Sequence, residues 1–170
     1  MKNQAYPLHS LIEGNWFKLI CGASYQYLPA VRSLALAYSL AGADCIDVAA
    51  DPAVVTAALA GIRQAEKIKG LKPWLMVSLN DAEDPHFRKA EFDATKCPSD
   101  CPRPCETICP ANAISQTGVS DRLCYGCGRC LPICPYDYIT TRSYVSTPSI
   151  IIPLIEEMGI DAIEIHTQVG

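Results

Sequence analysis

CYGCGRCLPICP, residues 124–135, decides how the rest of the chain is read. Its cysteines follow the spacing Cys124-x2-Cys127-x2-Cys130-x3-Cys134-Pro135. That is the ligand run of bacterial-type ferredoxins, in which three thiolates bind one [4Fe–4S] cube and the fourth reaches a second cube. A companion run lies upstream. CPSDCPRPCETICP, residues 97–110, carries Cys97-x3-Cys101-x3-Cys105-x3-Cys109-Pro110, the same ending with each of the first two gaps longer by one residue. Cys105 and Cys130 are 25 residues apart, as are Cys109 and Cys134, and CPANAI and CPYDYI end alike in Ile114 and Ile139. The runs therefore read as an internal repeat, each half offering thiolates on a tight loop followed by a short helical turn after the proline.

By the two-cluster rule, Cys97, Cys101, Cys105 and Cys134 are expected on one [4Fe–4S] cluster and Cys124, Cys127, Cys130 and Cys109 on the other. Soft thiolate sulfur matches the delocalised iron–sulfur core. Gly126 and Gly128 let main-chain amides approach the second cluster, whereas Pro98, Pro102 and Pro104 have no amide hydrogen to offer the first, so the two centres are expected to differ in potential. A pair of zinc sites and a [3Fe–4S] centre in the stretched half are the alternatives. Two Cys-Pro endings count against the first, and a full set of four cysteines in the stretched half against the second.

Working outward, the flanks alternate short apolar runs with helical patterns. Strands are predicted at 16–22 (WFKLICG), 45–50 (CIDVAA), 73–79 (PWLMVSL) and 161–166 (DAIEIH). A helix is predicted from Leu28 to Gly42, with Pro29 near its start. A second runs from the N-cap Asp51 through Pro52 to Gly70, burying Val55, Leu59 and Ile62. A third opens at Thr147 and Pro148 and reaches Met158, with Pro153 an awkward residue inside it. Strands alternating with helices and buried on both faces predict an α/β fold: a partial (β/α) barrel-like parallel sheet with an inserted 2[4Fe–4S] ferredoxin domain. The boundaries read 1–92 for the first part of the host, 93–141 for the insert and 142–170 for the second part. A full barrel takes about 250 residues, so the chain is expected to be part of a longer protein.

Eight of the ten cysteines fall inside 97–134, and the amino terminus has no apolar h-region. The cysteine count then points to metal binding in a reducing compartment rather than to disulfides, and to a cytoplasmic protein without a transmembrane segment. A net charge of −4 argues against a nucleic-acid partner.

Other residues invite a chemical and a plain reading. Asp47, Asp51, Asn80, Asp81 and His166 gather at the carboxyl ends of the predicted strands, where ligands bind in β/α proteins, but capping and loop solvation account for them more simply. Lys18 is read as a strand-edge lysine reaching solvent rather than as a Schiff-base amine. Cys21 and Cys45 read as small core residues, His86 as a loop residue, and Arg142 as a cation near the clusters. No catalytic residue is assigned, since GxGxxG, Walker A, HExxH and GxSxG signatures are absent from the sequence.

GNWFKLICGASYQYLPAVRSLALAYSLAGADCIDVAADPAVV (14–55), CPSDCPRPCETICPANAI (97–114) and EEMGIDAIEIHTQVG (156–170) together resemble the cyanobacterial light-dependent-period (LdpA) iron–sulfur family. The resemblance implies two [4Fe–4S] clusters on the eight cysteines and a protein that relays cellular redox or light state to the circadian clock. It also implies association with clock components such as KaiA, KaiC and the histidine kinase CikA, alongside an electron donor or acceptor. A redox sensor or electron carrier is the favoured reading. An iron–sulfur oxidoreductase with a flavin or substrate at the carboxyl edge of the host is the alternative, and clusters acting as structural staples are the third possibility.

Overall fold

The structure, a computed structural model, describes residues 7–22, 26–70, 72–80, 83 and 87–167. Asp81 and His86 lie outside the described residues. In chain order the elements are α1 (Pro7–Ile12), β1 (Lys18–Ile20), α2 (Leu28–Ala41), β2 (Cys45–Ala49), α3 (Pro52–Lys69) and β3 (Trp74–Asn80). Then come β4 (Arg88–Glu91), a 3-10 turn (Ala94–Lys96), α4 (Pro104–Ile108), β5 (Ile114–Ser115), β6 (Gly118–Val119), β7 (Thr140–Ser143), α5 (Pro148–Met158) and β8 (Ala162–His166). They fall into two compact units. One takes residues 1–23, 27–82 and 145–170; the other takes 24–26 and 83–144 and holds both cysteine runs.

The first unit is an α/β layer on a four-stranded sheet of order β1-β2-β3-β8, parallel throughout. The register sorts its residues onto two faces by the two-residue repeat of a strand. Leu19, Ile46, Val48, Leu75, Val77 and Leu79 face α2, α3 and α5, meeting Val31 and Ala35, Val54, Val55, Ala58 and Ile62, and Ile151 and Leu154. Of the expected buried stripe on α3, Val55 and Ile62 are buried and Leu59 is partly so. Gly61 is the contact point of α2 and α3: a Cβ there would stand 2.4 Å from the Arg32 carbonyl oxygen, so only glycine lets the two backbones approach this closely.

Helix ends follow their predicted chemistry. The Asp51 side chain accepts the Ala53 N–H at 2.9 Å, and Gly42 and Gly70 close α2 and α3 in the left-handed conformation. Pro153 inside α5 lies on its exposed side, as does Ser149, the residue whose carbonyl it leaves without an amide partner.

The helices pack against one face of the sheet, and every residue of the central strand β2 is buried. The opposite face mixes polar residues, Lys18, Asp47, Ser78, Asn80, Glu164 and His166, with Ile20, Cys45, Ala49, Trp74, Met76 and Ala162. Asp47 is fully buried on it rather than solvated at a strand end. Lys18 keeps partial exposure on the edge strand β1, and its ammonium is held by Asp47 Oδ2 at 3.1 Å and by Glu164, while the Ser78 hydroxyl donates to Asp47 Oδ1 at 2.7 Å. Burial lowers the Lys18 pKa, but the bonds to Glu164 and Asp47 outweigh it and hold the group above its ordinary value. Hydrogen bonding from Lys18 lowers Glu164, whereas burial raises Asp47 despite Ser78 and Lys18. Such a lysine is a counter-ion, not a free amine nucleophile. His166 is exposed, its Nδ1 3.9 Å from Glu164 Oε1. Cys21 and Cys45 are buried, as small core residues should be, and burial pushes their thiols up to about 11 and about 12. None of the described helices is long and apolar enough to cross a membrane.

Candidate metal centre

In the cysteine-bearing unit the 25-residue repeat is conformational as well as sequential. Arg103 and Gly128 both take the left-handed conformation, at φ 49° and 73°, and each carbonyl accepts the N–H three residues on, from Glu106 at 3.1 Å and Leu131 at 3.2 Å. Asn112 and Asp137 repeat the device, at φ 50° and 53°, with their N–H groups donating to the Cys109 and Cys134 carbonyls at 3.2 and 3.3 Å. Ile114 and Ile139 enter the same small core. The halves differ in one respect: residues 104–108 wind into α4, whereas the matching stretch is a series of turns. The helical turn expected after each proline is a plain turn, because each chain reverses at the left-handed residue two positions beyond the proline.

Left-handed backbone suits glycine and strains other residues by about 1–2 kcal/mol. Arg103 holds that conformation through its side chain, which bonds Glu106 and donates to the Ser115 carbonyl at 2.8 Å. At Gly126 the reason is close approach: a Cβ would stand 2.3 Å from the Arg88 carbonyl oxygen.

Cys109 of the first run lies with Cys124, Cys127 and Cys130 of the second around one cavity of about 350 Å³, its open mouth included. Ala90, Ala113 and Ile114 supply apolar wall. Burial pushes Cys130 up to about 11, with the charges of Cys124 and Cys127 adding to it and Cys109 contributing further. A thiol so placed keeps its proton until a metal displaces it. Across the repeat, Cys105 is buried and raised by desolvation, with Cys134 near enough to add to the shift. Cys97 and Cys105 lie within electrostatic reach of Arg103, and Cys101 and Cys134 within reach of Tyr136, whose ring stacks on Tyr138 at 5.6 Å. None of the eight is paired in a disulfide; Cys105, Cys124 and Cys130 are buried and the other five half-buried. Among the described residues no three His, Cys, Asp or Glu side chains converge on a point where a single metal ion would sit.

The guanidinium of Arg142, expected as a cation near the clusters, pairs with Asp121 and, at 3.5 Å, with Glu91. Arg129 lines the cavity from within the second run, and Lys89, buried on β4, donates from its Nζ to the Cys124 carbonyl at 2.7 Å. β4 pairs antiparallel with β7 in this unit, and β4 precedes the 93–141 segment marked out from sequence. RKAEF, residues 88–92, has neither an apolar alternation nor a turn signal, so nothing in the sequence set Lys89 apart from a surface lysine.

Site and comparisons agree on a class: residues 97–145 match the LdpA Fe-S cluster-binding domain, so this is an iron–sulfur cluster-binding region. Over 167 residues, 98% of its length, the chain is 60% identical to Light dependent period A of Synechococcus elongatus. The resemblance expected from sequence therefore holds. The chain spans 47% of that relative's length. No solved structure matches the chain significantly.

Proposed function

We propose that the eight cysteines hold two [4Fe–4S] clusters, Cys97, Cys101, Cys105 and Cys134 on one and Cys109, Cys124, Cys127 and Cys130 on the other. The observation that carries this reading is the shared cavity: Cys109 joins three thiols of the opposite run, the crossing that a two-cluster repeat requires. The nearness of Cys134 to Cys105 supports the reciprocal crossing. Donor chemistry fits the group, since all-thiolate sets around an apolar cavity are what iron–sulfur clusters use. The unit is read as a ferredoxin-like insert in a barrel-like host. Sequential parallel strands with every strand-packed helix on one face support the second half of that description.

When bound, each cluster stores one electron. The cysteines supply the ligands, the apolar wall limits water, and the left-handed residues turn each loop around its thiols. The chain acts as a redox sensor or electron carrier, its state read by a partner. The relative's name links that protein to a light-dependent period, which supports a clock-directed output and clock proteins among the partners of this one. Anaerobic iron and sulfide analysis joined to a potentiometric titration tests the proposal. Eight irons and two reducible centres per chain are expected, and iron near zero in protein prepared without oxygen would end it.

A further inference from the structure

Three consecutive residues of β4 serve the second cysteine loop. The Arg88 carbonyl packs against Gly126, where no side chain could fit, and Ala90 lines the cavity of the four thiols. Between them Lys89 is 6% exposed, and its Nζ donates to the main-chain carbonyls of Asp121 and Cys124. The ammonium also lies 4.3 Å from the centre of the Tyr144 ring, a cation–π contact that keeps it in place. Its neighbour across the ladder, Arg142, shares its charge with Asp121 and Glu91. On the other side of the repeat, the cation near Cys97 and Cys105 is Arg103, which is bound to Glu106.

We infer that Lys89 is the positioning residue of the second centre: it clamps the 121–124 turn and raises the reduction potential of the cluster held by Cys109, Cys124, Cys127 and Cys130. The inference rests on the two-cluster reading above. Reduction adds a negative charge to the centre, and a cation one carbonyl away from a ligand, inside a poorly polarisable interior, stabilises the reduced form more than the oxidised one. Donation to the Cys124 carbonyl also fixes the loop that presents the first thiol of the run, as outer partners of metal ligands do. Cys97, the equivalent of Cys124 in the first run, lies instead within electrostatic reach of Arg103, which is bound to Glu106.

The test is a redox titration followed by electron paramagnetic resonance on the chain loaded anaerobically with iron and sulfide. The parent is compared with Lys89→Gln and Lys89→Arg, and the two centres are assigned from Cys97→Ala and Cys127→Ala. Lys89→Gln keeps an N–H donor and loses the charge. It is expected to shift the second centre to a lower potential and leave the first unmoved, while Lys89→Arg keeps the parent value. An unmoved second centre in Lys89→Gln, or an equal shift of both centres, overturns the inference while leaving the two-cluster reading intact. Should Lys89→Gln fail to load the second centre, Lys89→Arg decides: loading at the parent potential supports the inference, and loading at a lowered potential overturns it. A parent chain that takes up no iron removes the two-cluster reading, and the inference with it.

Discussion

The two compact units hold themselves together by different means. Among the described residues the sheet unit buries fifteen in one apolar cluster drawn from strands and helices alike. The cysteine-bearing unit buries seven, and three of those are Cys105, Cys124 and Cys130, with Cys109 and Cys134 packed against them. Much of its interior is therefore thiol. Segments of this size rarely gain enough from apolar burial to fold without a staple or a metal, so binding energy becomes folding energy in one unit and not in the other.

Removing the cluster metal is the largest test of that difference. Anaerobic oxidative chelation should abolish hydrogen-exchange protection in peptides from 97–134 while those from 45–80 keep theirs. Equal protection in both would erase the contrast drawn between the units.

The sheet unit has its own weak point in the ion group of Lys18, Asp47 and Glu164. Lys18→Met leaves Asp47 buried without its counter-charge and should cost about 3 kcal/mol, the low end for breaking a buried pair because Lys18 keeps some exposure. Iron content should not change. Since Lys18 holds Glu164 below its ordinary value near 4.5, that stabilisation is complete above this pH and lost as pH falls through the lowered value. Asp47, raised by burial, also loses its charge in acid, so the gap between parent and variant should narrow there. Denaturant unfolding at neutral and acid pH reads both effects, and a gap that widens in acid would show that some other interaction holds Lys18 in place.

Glycines sharpen the comparison further. Gly126 and Gly42 have similar positive φ, 74° and 95°, but a Cβ on Gly126 meets the Arg88 carbonyl whereas nothing lies within 4 Å at Gly42. Gly126→Ala should cost about 3 kcal/mol, strain plus overpacking, and Gly42→Ala about 1 kcal/mol, strain alone. Equal costs in thermal unfolding would mean that β4 yields, and its close approach is not a constraint.

The smallest effect lies inside the repeat. Arg103→Gly relieves the left-handed backbone while losing the bonds to Glu106 and Ser115, and Arg103→Ala loses the bonds and keeps the strain. The alanine variant should be the less stable of the two, and the reverse order would show that backbone strain at Arg103 has no influence.

Local chemistry was legible in advance. Asp51 caps α3, Gly42 and Gly70 end their helices, and the 25-residue offset returns as paired left-handed residues at Arg103 and Gly128 and at Asn112 and Asp137. Spacing also sets the expectation that Cys109 joins the opposite run, and Cys109 lines one cavity with Cys124, Cys127 and Cys130. Caps, turns and ligand spacing depend on residues a few positions apart, which is why a linear reading reaches them.

What the sequence by itself determined is the α/β alternation, the cysteine repeat and the family resemblance. Only the tertiary structure decided that Lys18 meets Glu164, 146 residues away, and that Lys89 grips a carbonyl 35 residues on. It likewise decided that Gly126 is forced by Arg88 and that helices cover a single face of the sheet. Lysine reads as a surface residue in any sequence, and whether it is buried against a carboxylate or a carbonyl depends on which strands become neighbours, a choice made by packing across the whole chain.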